Sequence, residues 1–171
     1  MKKISLLFVI IILIGCESNP INLKKATFID CPGVLFAKEH RKYIASSSDN
    51  INIDNISHIT SFNNAKFNQK CQIKDNMFVN QISLLFVSIP LGNSEDRIKI
   101  PYYIALLDKD NSLISIEYYS LRVNFNKKVE TNELIETEII SKKSVKFSQS
   151  DNVTSLLVGF MLDEQQINLL N

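Results

Sequence analysis

The sequence has few of the side chains from which catalytic and metal sites are usually built. Its 171 residues include two histidines, three cysteines, four glycines and no tryptophan. It contains no Gly-x-Ser-x-Gly elbow, no His-Glu-x-x-His pair, no glycine-rich phosphate loop and no Cys-x-x-Cys spacing. Because these motifs position a nucleophile, a zinc ion, a phosphate or a redox pair, their absence argues against the enzyme classes that depend on them.

An excess of charge of either sign is lacking as well. The 19 basic and 18 acidic residues give a formal net charge of +1 at pH 7. Proteins that bind nucleic acid through its phosphates usually carry a strong basic excess. The balance of charge therefore predicts that the chain does not bind nucleic acid.

The apolar run at residues 4–14 is too short to cross a membrane, which takes roughly 20 residues of helix. Lys2 and Lys3 precede this run, and Gly15 and Cys16 follow it. A basic start, an apolar centre and a small-residue cleavage site are the parts of a signal peptide. With the cysteine, they resemble a bacterial lipoprotein signal. The resemblance implies that residues 1–15 are removed, that Cys16 carries the lipid, and that residues 16–25 form a tether.

The same resemblance implies a location. Lipoprotein processing leaves three acyl chains on Cys16, and three chains anchor a domain stably where one chain is only marginally sufficient. Glu17 stands where lipoproteins retained in the inner membrane usually have aspartate. We therefore expect a cell-envelope protein that faces the periplasm, with the outer membrane favoured over the inner. The alternative is a buried N-terminal strand or helix with an unrelated cysteine.

The remaining cysteines form an even pair. Removal of 15 residues from 171 leaves 156, a length that suits one domain over residues 26–171. Export would place Cys31 and Cys71 in an oxidising compartment, which predicts a disulfide between them. It would close a loop of about 40 residues and stabilise the fold by about 4 kcal/mol. A redox or metal pair is the alternative, although neither His40 nor His58 forms a ligand cluster with the cysteines.

Short apolar segments with a period of two recur along residues 26–171 and predict β-strands. Residues 78–89 are apolar on both parities at their centre, which predicts a central strand with both faces covered. Asn63 and Asn64 predict a hairpin turn. Asp163 and Gln166 predict a capped C-terminal helix, with Ile167 and Leu170 packed on the core. We expect a mainly β fold, an antiparallel β-sandwich of immunoglobulin or fibronectin III type with a short C-terminal helix. An open barrel is the alternative.

The segment at residues 113–125 has an irregular apolar pattern. Ile116 and Tyr118 share one parity, whereas Tyr119 and Leu121 share the other. Because a one-residue shift exchanges the faces of a strand, we expect a β-bulge, or a strand that passes between two sheets, between Tyr118 and Tyr119.

The turn before this segment begins like a calcium loop, with Asp108, Asp110 and Ser112 at alternate positions. Leu113 replaces the glycine that such a loop needs, and Tyr119 replaces the bidentate glutamate. We therefore expect a hairpin turn with Asn111 at positive φ, and no metal site.

Several short motifs resemble an uncharacterised family of alphaproteobacterial lipoproteins. The chain departs from that family at Leu91-Gly92-Asn93-Ser94, where members usually have an Arg-Gly-Pro-like turn. The resemblance implies a two-cysteine, β-rich domain on a lipid anchor and carries over no catalytic residue. The motifs are Cys16, Cys31-Pro32, Cys71, Ile100-Pro101-Tyr102-Tyr103-Ile104-Ala105, and Val158-Gly159-Phe160-Met161-Leu162 with Glu164-Gln165-Gln166.

The side chains that could act in catalysis fit structural or solvated positions better. His40 beside Glu39 fits a charged surface turn better than a base or metal ligand, and His58 fits a strand position with its hydrogen bonds satisfied. Glu136 and Glu138 alternate with apolar residues, as on a solvated strand face. We predict no catalytic residue, cofactor or metal.

The function that remains is a non-catalytic interaction or assembly module that binds another envelope protein. A glycan- or peptide-binding module is the alternative. The sequence predicts no particular oligomeric state for the protein. The candidate contact residues are Tyr102, Tyr103, Tyr118 and Tyr119.

Overall fold

A computed structural model of the chain describes residues 26–91, 97–125 and 136–170. These residues form ten β-strands in two sheets, and one α-helix, α1 (Glu164–Leu170). The predicted mainly β sandwich with a short C-terminal helix is confirmed. The strands are β1 (Thr27–Phe28), β2 (Gly33–Phe36), β3 (Lys42–Ser46), β4 (Ile56–Phe67), β5 (Gln72–Lys74), β6 (Met77–Pro90), β7 (Arg97–Leu107), β8 (Leu113–Asn124), β9 (Thr137–Ser148) and β10 (Ser155–Phe160).

Strand β6 is the centre of the six-stranded sheet. One side of it pairs with β9, and the other side pairs with β4 and β5, so that the order is β1-β5-β6-β4-β3 with β9 along the opposite side. The central position is confirmed. At its centre both parities are covered as predicted, because Leu84 and Phe86 face the core, and on the other parity Val87 is buried and Leu85 is half-buried. Nearer the start of the strand the second face is open, and Val79 is 51% exposed.

The predicted hairpin at Asn63 and Asn64 is also wrong. Strand β4 runs through these residues as one strand of 12 residues. Phe62 pairs with Phe86 and Asn64 pairs with Leu85, which leaves Asn63 as the extra residue of a bulge. Because β6 offers a pairing partner on both sides of the bulge, the chain continues where turn residues alone would predict a reversal.

The four-stranded sheet has the order β2-β10-β7-β8. Strands β7 and β8 form an antiparallel hairpin through residues 108–112, and β10 pairs antiparallel with the other side of β7. Strand β2 pairs parallel with β10. This one parallel pair departs from the antiparallel prediction. Strand β8 is an edge of the sheet, and no strand in the described ranges pairs with its other side.

Aromatic side chains fill the space between the sheets. The ring of Phe62 stacks on that of Phe160 with centroids 4.1 Å apart, and it also contacts Phe86 at 4.9 Å. Tyr102 is fully buried, and its hydroxyl lies 3.0 Å from the Ser141 hydroxyl on the opposite sheet. Because large aromatic side chains bury the most apolar area per residue, this cluster joins the two sheets.

Helix α1 begins with the predicted cap. The Gln166 amide N–H donates to Asp163 at 2.8 Å, and the Asp163 N–H donates to the Gln166 side chain at 3.0 Å. The prediction that Ile167 packs on the core is wrong, since 37% of its surface is exposed, whereas Leu170, the other residue predicted to pack there, is half-buried. Gln166 is buried instead, and its side-chain amide donates to the Ile44 carbonyl at 2.6 Å. The helix is thus held to β3 by a polar contact.

Candidate functional site

The outer face of the four-stranded sheet carries an apolar groove of about 450 Å³. Tyr103, Ala105 and Leu107 of β7 line its floor, and Ile116 and Tyr118 of β8 line one side. Tyr118 is 62% exposed. Large apolar side chains that stand together on a surface, and not singly, usually mark a binding site.

The register of β7 and β8 brings these side chains together. Tyr103 pairs with Tyr118, and Ala105 pairs with Ile116. Directly opposite residues on antiparallel strands point to the same face, so both pairs point away from the core. The outer apolar residues therefore form one continuous row across the two strands.

Gly159 of β10 creates room for the row. A Cβ atom at this position would lie 2.6 Å from the Tyr103 Cζ, which is closer than real side chains approach. The Tyr103 ring therefore lies flat against the backbone of β10. His40 stands beside it, edge to face at 6.0 Å, with its Nδ1 3.1 Å from the Phe160 carbonyl oxygen.

The tyrosine in the groove is a neutral group. Burial raises the pKa of the Tyr103 phenol above its usual value of 10, and the nearby Tyr118 raises it further. Tyr103 therefore keeps its proton at neutral pH. It can donate a hydrogen bond from the groove, but it does not supply a charged nucleophile or base.

The same outer face is basic at its other end. Lys99 of β7 pairs with Arg122 of β8, and both are exposed. Pairing places them on the same face as Tyr103 and Tyr118. Strands β2, β7, β8 and β10 contain one acidic residue, Glu117, which pairs with the inward Ile104 and whose carboxylate accepts from the Tyr119 hydroxyl. The outer face of this sheet thus has an apolar end and a basic end.

A second depression of about 620 Å³ lies at one end of the sandwich. Its lining mixes apolar side chains such as Phe147 with polar ones, including Asp108, Lys109 and Asn152. Small-ligand sites combine apolar walls with a few polar groups that orient the ligand, and this depression offers both.

Two of the four predicted contact tyrosines point inward. Tyr102 is fully buried, and Tyr119 stacks on it with ring centroids 5.4 Å apart. The prediction that they are contact residues is wrong, because their parity on β7 and β8 faces the core. Tyr103 and Tyr118 do lie on the outer face.

The two histidines have different surroundings. His40 ends a short 3-10 turn (Lys38–His40) at the rim of the groove. His58 is fully buried, with its Nδ1 3.2 Å from the equally buried Ser57 hydroxyl. Its Nε2 has no hydrogen-bond partner in the described part of the chain, so the prediction of satisfied hydrogen bonds is wrong. A serine beside a histidine is a nucleophile arrangement, but these two side chains do not reach solvent.

The acidic candidates form local structure. Asp108 accepts hydrogen bonds from the Asp110 and Ser112 amides, and Asn111 has a φ of 60°, which confirms the hairpin turn. Glu136 and Glu138 are exposed. Within the described ranges, no group of three or more histidine, cysteine, aspartate and glutamate side chains is placed to hold a metal ion.

The predicted disulfide is present. Cys31 and Cys71 are bonded, with Cα atoms 5.1 Å apart and a separation of 40 positions in sequence. The bond ties the segment just before β2 to the residue just before β5. Cys16, residues 1–15 and the tether at residues 16–25 lie outside the described residues. No helix in the described part of the chain is long and apolar enough to cross a membrane.

Comparison of the chain with protein-family models, with curated proteins and with solved structures gives no match.

Proposed function

We propose that the chain is a lipid-anchored envelope protein that has no catalytic activity and binds another envelope protein. The binding site is the apolar groove on the outer face of the four-stranded sheet. The observation that supports this most is the continuous row of Tyr103, Ala105, Ile116 and Tyr118 along the groove, in which Tyr118 is 62% exposed. Aromatic anchors of this kind contribute much of the affinity of protein interfaces.

The lipid anchor of the proposal is carried by Cys16, with residues 1–15 as the removed signal and residues 16–25 as the tether. A tether of ten residues spans at most about 35 Å. The domain would therefore work close to the membrane surface, facing the periplasm, with the outer membrane favoured. The resemblance to alphaproteobacterial lipoproteins supports the same placement.

The absence of catalysis is supported by the chemistry of the groove. Its titratable members are His40, which contacts a backbone carbonyl, and two tyrosines, Tyr103 and Tyr118, of which Tyr103 has a pKa raised by burial. In the described residues, none of the three is hydrogen-bonded to a serine, cysteine or carboxylate side chain. An acid–base or nucleophilic mechanism needs such a partner.

Photocrosslinking in the native envelope tests this function. A photoreactive phenylalanine analogue replaces Tyr118 in the groove, and in the matched control it replaces Val79, an exposed apolar residue on the outer face of the other sheet. We expect a reproducible envelope-protein adduct from position 118 only. The adduct should disappear in a Cys16→Ser chain, which cannot be lipidated. Equal adducts from both positions, or none from either, would contradict the proposal.

A glycan- or peptide-binding module is a second candidate, and the depression lined by Asp108, Asn152 and Phe147 favours it. Isothermal titration with peptidoglycan fragments tests this candidate. Asn152→Ala should abolish any heat of binding, whereas Tyr118→Ala should leave it unchanged. An absence of heat with the unaltered chain would exclude these fragments as ligands.

A further inference from the structure

We infer that strand β8 accepts an extended strand from the partner, with apolar side chains at one end and a carboxylate at the other. This inference rests on the proposed function and names the chemistry of the partner at that site. In β-strand addition, backbone hydrogen bonds to an open edge provide affinity, and alternate side chains provide specificity.

The edge of β8 is long, regular and open. After a bulge opposite Leu107, its register with β7 is unbroken from Ser115 to Asn124. Eight of the 12 residues of β8 are exposed. Within the described residues its second side has no paired strand. In this ten-residue stretch the backbone N–H and C=O groups of alternate residues point away from β7, and such unpaired donors and acceptors are a template for a further strand.

The other long edge of the sandwich is protected. Strand β9 pairs with β6 on one side only and carries Lys142, Lys143 and Lys146. Lysines on an edge oppose the addition of a further strand. Strand β8 contains no lysine. The two edges therefore differ in charge, because β9 carries three lysines whereas β8 carries one acidic and one basic residue, Glu117 and Arg122. Strand β8 is the edge that borders the apolar groove.

The apolar and basic ends of the outer face indicate which residue types the two ends of the incoming strand carry. Side chains of the added strand that point outward would continue the rows of β7 and β8. At one end they would meet Ile116 and Tyr118, and at the other end Arg122, which pairs with Lys99. Cross-strand apolar pairs and opposite charges stabilise a sheet, whereas like charges destabilise it. The partner strand should thus carry alternate apolar residues and an acidic end.

A second copy of this chain fits the edge less well. If two β8 strands pair antiparallel along the regular stretch, the start of each lies beside the end of the other. The apolar end of each strand then meets Arg122 of the other strand. Parallel pairing instead sets Arg122 beside Arg122. A lipid surface fits less well again, because hydrocarbon leaves the open backbone groups of β8 without partners.

Hydrogen exchange measured by mass spectrometry tests this inference on the full-length lipoprotein in detergent micelles. The probe is a ten-residue peptide of alternating valine and threonine with two aspartates at one end. It is made with the aspartates first and with the aspartates last, because parallel and antiparallel addition place them differently. The control peptides carry lysines in place of the aspartates.

We expect one of the two acidic peptides to slow hydrogen exchange of the amides in β8. Exchange of the amides in β9 and β3 should not change. The lysine peptides should bind about tenfold more weakly, and Arg122→Glu should reverse this preference. Tyr118→Lys should weaken binding of the acidic peptide about tenfold, while the matched Val79→Lys should not change it. Unchanged exchange in the remaining strands shows that each variant is folded.

Protection at another strand, equal binding of acidic and basic peptides, or self-association through β8 would overturn the inference. The two proposals fail separately. Crosslinks from position 118 without protection of β8 would support the proposed function and overturn strand addition. Protection of β8 without any crosslinked protein in the envelope would contradict the proposed function and support strand addition.

Discussion

The Tyr103 ring occupies the space that a side chain at Gly159 would need. A Cβ on Gly159 would lie 2.6 Å from the Tyr103 Cζ, on the strand that pairs directly with β7. Glycine is therefore required here for close approach of an aromatic ring, and not for an unusual backbone angle, since Gly159 has no positive φ. The floor of the groove depends on this contact.

We predict that Gly159→Ala lowers the free energy of unfolding by about 1–3 kcal/mol, because the Tyr103 ring must move out of a well-packed position. Urea denaturation measures the change. In a Tyr103→Ala background the same substitution should cost much less, since the ring is gone. Losses that add to within about 0.5 kcal/mol would show that the two residues do not interact.

A second prediction concerns the contact between α1 and β3. Gln166→Leu should lower the free energy of unfolding by about 1–3 kcal/mol, because it leaves the Ile44 carbonyl and the Asp163 N–H without their side-chain partner. Gln165→Leu is the matched control. Gln165 is exposed and accepts one hydrogen bond from the Ile51 N–H, so its loss should cost about 1 kcal/mol or less. Equal losses in thermal melting would contradict this account.

The strands could be predicted from the sequence because alternation of apolar and polar residues is a local signal. It correctly placed β7, β8 and the turn at Asn111. Pairing could not be predicted in the same way. Asn63 and Asn64 have turn chemistry, yet β6 offers them a partner strand and the chain continues. The parallel pairing of β2 with β10 joins segments more than 100 residues apart, and no local pattern records it.

One feature of the sequence reflects the groove. The apolar parity changes between Tyr118 and Tyr119, which predicted a bulge at that point. The prediction of a bulge there is wrong, because the register with β7 is unbroken at both residues and the bulge lies near Leu113. Both parities are apolar because Tyr119 packs inward and Tyr118 lies on the surface. A strand with two apolar faces therefore indicated a binding surface and not an irregular backbone.

A third prediction concerns the disulfide. Reduction of the Cys31–Cys71 bond should lower the free energy of unfolding by about 2–5 kcal/mol, because it releases a constraint on a long loop in the unfolded chain. Urea midpoints with and without a reducing agent measure this. The chain with Cys31→Ala and Cys71→Ala keeps Cys16 and is the control. Its midpoint should not respond to the reducing agent, and an equal response would assign the effect to another group.

The last prediction concerns acid stability. Burial lowers the pKa of His58 below its usual value of 6.5. The neutral ring stacks on Phe125 with centroids 4.2 Å apart, and its Nε2 is buried without a partner. The unfolded chain therefore takes up a proton at a higher pH than the folded chain does. Stability is complete above about pH 6.5 and falls as the pH drops toward the lowered pKa of the folded state.

His58→Leu removes this proton uptake while keeping an apolar side chain of similar length beside Phe125. We expect the unaltered chain to lose stability as the pH falls from about 6.5 to 5, by at most about 1.4 kcal/mol per pH unit from this group. The His58→Leu chain should show a smaller loss over the same range in urea denaturation. If the two chains have the same slope, the acid sensitivity arises from other residues and His58 does not become charged on unfolding.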